Sequence, residues 1–279
     1  MTDKKKSIVK KAEKKEVVKK EPIESQSKSV FNPKELAEKL EGLNWLEFIT
    51  FKEKYLILST DKFSTFFFVL PFKSDFKGAY NLKNLYFYLT NMSDAVFEEK
   101  ENRLVIKEKT SYVELIMQSD VIVPEDLDKA KLDFVDLPND FLQSVDFCKS
   151  SIDESSYATV GTDFLIIKEK EAIGTNGKIL SRYTFNEAIK DTLFISKRVA
   201  EAVSKSKLEF TKYANGDFIV LKNEHNDQLI CSKQEAKFPD FEQVYNKMED
   251  SIKISLPDSL LDDLKKFEPL AITQYGNPA

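Results

Sequence analysis

The chain has 279 residues, a formal net charge of −5 and 42% hydrophobic residues, which is enough for two domains with a sizeable core. No apolar run approaches the roughly 20 residues of a transmembrane helix, and the lysine-rich N-terminus has no apolar core typical of a signal peptide. The two cysteines, Cys148 and Cys231, provide no disulfide framework, which favours a reducing compartment. We therefore expect a cytoplasmic protein with no membrane association.

Groups suited to catalysis are scarce. His225 is the only histidine, and it lies in the polar segment 223–227, which is typical of a hairpin tip. Zinc sites need paired Cys and His ligands, and phosphate sites of the P-loop type need a glycine-rich loop before a helix. The sequence has neither pattern, so we expect no metal or cofactor, and an enzyme is the weaker hypothesis.

Residues 1–30 contain ten lysines against five acidic residues and no aromatic residue. Dense charge with few apolar residues predicts a disordered basic tail. Such a tail either adds non-specific attraction to nucleic acid or only improves solubility.

The first predicted domain covers residues 31–122. Asn32 followed by Pro33 predicts a helix N-terminus, and Gly42 predicts its end. Hydrophobic patterning then gives two groups of three strands separated by a helix. The predicted elements are helix 33–41, strands 44–51, 54–60 and 63–70, helix 80–92, and strands 95–99, 102–108 and 111–117.

The same order begins again after a predicted linker at 124–128, giving a second domain at 129–250. Ile195, Val199 and Val203 have the spacing of a buried helix face, and Asn215–Gly216 predicts a hairpin turn. The predicted elements are strand 131–136, helix 138–149, strands 157–160, 163–170 and 179–185, helix 195–207, and strands 208–213, 217–222 and 228–232.

A third copy begins at residues 251–279. The segment 251–267 parallels 131–147, with a strand, a Leu-Pro pair and an apolar helix. An internal repeat determines the architecture before any single motif does. The sequence predicts an α+β fold of repeated domains, each with two helices packed on antiparallel sheets, followed by the strand and helix that open an incomplete third repeat.

Two short motifs carry a family resemblance. The run from Gly174 to Leu180 (GTNGKIL) resembles Ala-Thr-Asp-Gly-His-Arg-Leu, and the run from Lys237 to Phe241 (KFPDF) resembles Gly-Arg-Phe-Pro-Asp-Tyr. Both family motifs belong to the bacterial and phage DNA sliding clamp, the β subunit of DNA polymerase III. The chain departs from them at Asn176, Lys178–Ile179 and Gln243.

The resemblance covers residues 31–267 and implies a fold, a function and a partner site. Sliding clamps of this family have three such domains per subunit, and two subunits close a six-domain ring around duplex DNA. Their two motif segments line a groove that captures short peptides of the polymerase and the clamp loader. The groove residues implied here are Thr175, Gly177, Lys178, Leu180, Pro239 and Val244.

Each motif also has a purely structural interpretation. Asn176–Gly177 alone is typical of a type I′ hairpin turn, and the segment around Pro239 is also typical of a strand exit that buries two aromatic rings. The sequence leaves both alternatives open.

A clamp holds DNA through phosphate contacts without reading the bases. On helix 195–207, Lys197, Arg198 and Lys205 lie opposite the apolar stripe, and we expect them to face DNA. The alternative is an ordinary solvated helix face.

The leading hypothesis is a DNA sliding clamp-like processivity factor, assembled as a homo-oligomeric ring in a bacterial cell or a phage-infected host. Its partners are double-stranded DNA, a DNA polymerase and a clamp loader. The alternative is a clamp-fold protein that docks partners in transcription or replication and does not encircle DNA.

Overall fold

The computed structural model describes residues 31–62, 64–92, 94–123, 132–153 and 162–234, and, near the C-terminus, 257, 259–260 and 262–266. The chain divides into two compact units, Met1–Glu235 and Ala236–Ala279. In the second unit, the Asp263 amide donates to the Ser259 carbonyl at 2.9 Å, a helical hydrogen bond in the segment predicted to hold the helix of a third repeat.

In the first half of the larger unit, two helices separate groups of antiparallel strands. These elements are α1 (Pro33–Lys39), β1 (Phe48–Phe51), β2 (Tyr55–Ser59), β3 (Phe66–Pro71), β4 (Gly78–Asn81), α2 (Leu82–Asn91), β5 (Val96–Lys100), β6 (Arg103–Glu108) and β7 (Ser111–Ile116).

The second half repeats this order, with one further strand in front. Its elements are β8 (Val135–Asp136), α3 (Phe141–Cys148), a short 3-10 turn (Lys149–Ser151), β9 (Phe164–Lys168), β10 (Glu171–Thr175), β11 (Leu180–Thr184), β12 (Leu193–Ser196), α4 (Lys197–Ser206), β13 (Lys212–Asn215), β14 (Phe218–Lys222) and β15 (Gln228–Ser232).

These strands form three sheets in the described part of the chain. One has eight strands in the order β4-β1-β2-β3-β15-β14-β13-β8, one has four in the order β11-β10-β9-β12, and one has three in the order β5-β6-β7. The strand pairs are antiparallel, and β3 joins β15, so the eight-stranded sheet continues from the first half into the second. The predicted α+β fold of helices on antiparallel sheets is confirmed.

The helix starts follow from local capping. The Asn32 side chain accepts hydrogen bonds from the amides of Lys34 and Glu35, at 3.2 and 3.4 Å, and Pro33 opens α1. Ser196 caps α4 in the same way, accepting from the Val199 amide at 3.4 Å. Such caps satisfy amides that have no partner within the helix, and each contributes about 1 kcal/mol.

The buried faces of the helices agree with the apolar stripes in the sequence. Leu36 and Leu40 beneath α1, and Val199 and Val203 beneath α4, are buried in the main core cluster. A second, smaller cluster on the other face of the eight-stranded sheet includes Val69 and Ile230, which lie near the β3–β15 junction. The junction between the halves is therefore covered by apolar residues on both faces.

Two helices were predicted to begin too early, because a strand runs directly into each of them. One strand was missed because its sequence has a weak strand propensity. Tyr80 was assigned to the second helix but lies in β4, since Asn81 is the N-cap that starts α2. Ile195 was assigned to the fourth helix but lies in β12, since Ser196 is the cap of α4. Strand β10 was missed because its sequence, EAIGT, has few β-branched residues.

Other predicted strands begin later than expected. Residues 44–47 form turns before β1, residues 208–211 precede β13, and 132–134 precede β8. In these stretches, apolar residues such as Leu46 and Phe210 are buried by turns and loops rather than by strands. The predicted strand at 157–160 and the linker at 124–128 lie outside the described residues.

No helix within the described ranges has the length and apolar character needed to cross a membrane.

Candidate functional site

The first half of the candidate groove is a four-residue turn between β10 and β11. Thr175 and Leu180 lie opposite each other at its base. The Thr175 hydroxyl donates to the Ile179 carbonyl at 2.7 Å and accepts from the Gly177 amide at 3.1 Å. The Asn176 side chain accepts from the amides of Lys178 and Ile179, at 3.0 and 2.8 Å. Two side chains thus hold the turn in one conformation from inside.

Asn176–Gly177 does lie in a hairpin turn, as the structural interpretation predicted, but the turn is not of type I′. A type I′ turn requires positive φ at both central residues, whereas of these two only Gly177 has a positive φ, +80°. The space where a Cβ of Gly177 would lie is empty to 4 Å, so glycine is required here by backbone conformation and not by crowding. The conformation instead holds Lys178 and Ile179 out in solvent.

The structure brings together four of the six predicted groove residues. Thr175 is buried and fixes the turn, Gly177 and Lys178 are exposed, and Leu180 is half-buried at the start of β11. Pro239 and Val244 lie outside the described residues, together with the rest of the second motif. Their contact with the turn remains a prediction.

The predicted DNA-facing residues lie on α4. Arg198 and Lys205 are exposed and Lys197 is half-buried, opposite the buried Val199 and Val203. Since residues seven apart on a helix share a face, Arg198 and Lys205 are presented to the same side. Arg198 and Lys205 thus form a narrow cationic stripe on the exposed side of α4.

Lys205 has two neighbours: Glu201, one turn away on the same helix, and Trp45, which the sequence alone did not indicate. Its Nζ lies 3.7 Å from a carboxylate oxygen of Glu201 and 5.6 Å from the centroid of the Trp45 ring. Trp45 belongs to the first half of the unit, so Lys205 contacts both halves. The Glu201 carboxylate also reduces the net charge of this helix face.

A large acidic cleft was missed by sequence reasoning. It has a volume of about 1190 Å³ and lies beside α3, lined by six carboxylates and two lysines. The charged residues are Asp136, Asp140, Asp146, Glu187, Glu209, Glu224, Lys212 and Lys222. Its carboxylates come from distant parts of the sequence, so no local motif marks it. An excess of negative charge disfavours the binding of a phosphate backbone in this cleft.

The described residues contain no group of three or more His, Cys, Asp or Glu side chains arranged to hold a metal ion. Both cysteines are buried, and burial raises the pKa of each thiol to about 12. A thiol that keeps its proton at neutral pH is a poor nucleophile.

No protein-family model and no curated protein sequence matches this chain. Solved structures do match. The DNA polymerase III subunit beta of Pseudomonas aeruginosa has a TM-score of 0.58 at 12% identity, over 76% of this chain and 66% of that one. The beta chain from Streptococcus pneumoniae has a TM-score of 0.60 at 12% identity, over 80% and 67%. The Helicobacter pylori beta clamp bound to a DNA ligase peptide has a TM-score of 0.56 at 16% identity, over 87% and 75%.

The chain spans about two thirds of the length of the first two proteins. At these identities the likeness concerns the fold, and it agrees with the repeat and with both motifs in the sequence. The chain therefore has the fold of the bacterial DNA polymerase III β sliding clamp.

Proposed function

We propose that this chain is a sliding clamp-like processivity factor that encircles duplex DNA and tethers a DNA polymerase, in the cytoplasm of a bacterial cell or a phage-infected host. The observation that carries the proposal is the fold, which this chain shares with clamps from three bacteria. A tether of this kind acts by topology and needs no catalytic group, so we propose that the protein is not an enzyme.

DNA binding in this proposal rests on Lys197, Arg198 and Lys205. Cationic side chains on a helix contact phosphates without reading sequence, which suits a protein that must slide. The ion pair between Glu201 and Lys205 weakens the net attraction. Weak binding to the phosphates lets the clamp slide, while the closed ring keeps it on the DNA.

Polymerase and clamp loader bind, in this proposal, at a groove formed by the 175–180 turn and the second motif. The related H. pylori clamp binds a DNA ligase peptide, which supports a peptide site on this fold. Leu180, Pro239 and Val244 are the apolar residues among those that the resemblance implies, and we expect them to contact the peptide. A peptide side chain that buries ~100 Å² of apolar surface gains roughly 2.5 kcal/mol, at about 25 cal/mol per Å². One or two such anchors give the exchangeable binding that competing partners require.

Encirclement can be tested with linear DNA whose free end is capped. The protein is incubated with duplex DNA held by one end on a bead, the free end is then blocked with a bulky protein, and the bead is washed in high salt. We expect retention on capped DNA and loss from uncapped DNA. Equal loss from both would favour the alternative, a clamp-fold docking protein that does not encircle DNA.

A further inference from the structure

The Trp45 cleft, a space of about 190 Å³, lies beside the cationic stripe of α4, near the β3–β15 joint between the two halves of the larger unit. Both halves contribute to its walls, which are formed by Trp45, Thr60, Asp61 and Phe66 from the first half and by Arg198, Glu201, Ala202 and Lys205 from α4. Pockets for drug-sized ligands have roughly 300–1,000 Å³, so this smaller cleft suits a single ring system.

Trp45 is the only tryptophan of the chain, and contacts outside the cleft hold it in place. Its indole Nε1 donates a hydrogen bond to the Gly42 carbonyl at 2.9 Å. Its ring meets the ring of the fully buried Phe68 edge to face, with centroids 6.4 Å apart and an angle of 89° between the planes. Trp45 is half-buried, so part of the ring is open to solvent. The indole is therefore a rigid aromatic surface that is formed before any ligand arrives.

The group that lies over the Trp45 ring is a flexible side chain. The Lys205 Nζ is 5.6 Å from the ring centroid, and the Lys205 side chain is 58% exposed. An exposed ammonium over an aromatic ring is weakly held. Lys205 also has the Glu201 carboxylate 3.7 Å away, so it keeps an ion-pair partner when it leaves the ring. Its departure opens the face of the indole to a flat ligand.

The groups around the ring match an unpaired nucleobase. Bases that are free of a duplex stack on aromatic side chains and form hydrogen bonds through their edges. The carboxylates of Asp61 and Glu201 and the Thr60 hydroxyl lie in the walls, where they can accept hydrogen bonds from the amino groups of a base. The same two carboxylates oppose a phosphate inside the cleft, whereas Arg198 and Lys205 supply positive charge for the phosphate next to the bound base.

We propose that the Trp45 cleft binds an unpaired base of single-stranded DNA adjoining the duplex. The base stacks on Trp45, and Lys205 moves from the ring to the neighbouring phosphate. This inference rests on the proposed function, in which α4 faces DNA, and deepens it by naming the DNA structure that the chain prefers, a duplex with a single-stranded overhang. The cationic stripe alone does not distinguish this structure from a blunt duplex, because both carry phosphates.

The single tryptophan allows a direct test with three DNA probes. These are a blunt duplex, the same duplex with a single-stranded overhang, and the same overhang made of abasic nucleotides, which has the phosphates without the bases. Anisotropy measures the affinity, and tryptophan emission reports on the cleft. We expect quenching, and about tenfold tighter binding, only with the overhang that carries bases. Equal affinity and emission for the base-bearing and abasic overhangs, or no binding to any probe, would overturn the proposal.

Two substitutions separate stacking from a structural role of Trp45. Trp45→Leu removes the aromatic surface and should abolish the preference of about tenfold for the base-bearing over the abasic overhang. Trp45→Phe keeps an aromatic ring and should retain most of this preference. Both variants lose the hydrogen bond to Gly42, so a loss of stability common to both does not explain a difference between them. A wild-type preference in Trp45→Leu, or the same loss in both variants, would overturn the proposal.

Failure of this inference differs from failure of the proposed function. Retention on capped DNA without base-dependent quenching would contradict only the binding of a base in the Trp45 cleft. Base-dependent quenching without retention on capped DNA would contradict only encirclement.

Discussion

Phe68 of β3 lies directly opposite Leu229 of β15, and this pair joins the two halves of the larger unit into one sheet. Both side chains are fully buried in the main core cluster. The first half therefore contributes to the second not only through helix packing but through backbone hydrogen bonds across the joint. The two halves should accordingly unfold together rather than as independent domains.

We expect Phe68→Ala to lower the free energy of unfolding by about 3–5 kcal/mol, because it leaves a cavity at the joint. Urea unfolding followed by circular dichroism measures this loss, and the transition should remain single. Phe218→Ala, on an exposed part of β14, is the matched control and should change stability by less than about 0.5 kcal/mol. A second, separate transition in the Phe68→Ala protein would show that the halves fold independently.

Much of this architecture could be predicted because the helix signals are local. Asn32 and Pro33 mark the start of α1, and the apolar stripe of α4 is visible at helical spacing. Strands β4 and β12 could not be predicted, since each ends at the cap of the following helix and its residues fit the helical stripe. The β3–β15 pairing could not be predicted from the sequence either, because it depends on tertiary docking between distant segments.

The candidate sites divide in the same way. The 175–180 turn could be predicted because Asn176 and Gly177 form hydrogen bonds with residues near them in the sequence. The proximity of Trp45 to Lys205 could not, because the two residues are far apart in sequence and meet only at the joint.

Replacing Lys197, Arg198 and Lys205 together by Ala should weaken DNA binding and flatten its salt dependence. Each lost phosphate contact makes the slope of log K against log salt concentration less negative by roughly 0.9. The measurement is fluorescence anisotropy with duplex DNA over a range of salt concentrations.

A triple alanine variant at the exposed Lys54, Lys73 and Lys100 has the same net charge and is the control. It should keep the wild-type slope. Equal slopes for both triple variants would make the α4 residues an ordinary solvated face. Glu201→Gln, which frees Lys205 from its ion pair, should strengthen binding.

The double variant Leu180→Ala with Val244→Ala should lose binding of a polymerase or clamp-loader peptide while keeping a near-normal melting temperature. Leu180 is half-buried, so its truncation removes an apolar wall and not a core contact. Isothermal titration and thermal unfolding measure the two effects. Ile179→Ala, an exposed neighbour on the same turn, controls for changes in the loop. Loss of stability together with binding would assign these side chains to the core.

Alkaline pH should destabilise the protein through Cys231. Burial raises the pKa of this thiol from 9.0 to about 12. Above pH 9 the unfolded chain loses the proton that the folded chain keeps, so stability is full below pH 9 and falls as pH rises towards 12. Cys231→Ala should reduce the slope of the unfolding free energy in this window by about 1.4 kcal/mol per pH unit. Phe218→Ala should keep the wild-type slope, and an unchanged slope in Cys231→Ala would show that this thiol is not the cause.

The most direct test of encirclement compares a circular plasmid with the same plasmid cut at one site. The protein is incubated with the nicked circle, unbound protein is removed in high salt, and half of the sample is then linearised. We expect the protein to remain with the circle and to be released when the plasmid is linearised. Equal amounts of protein on the circular and the linear plasmid, or none on either, would contradict the claim that this chain encircles DNA.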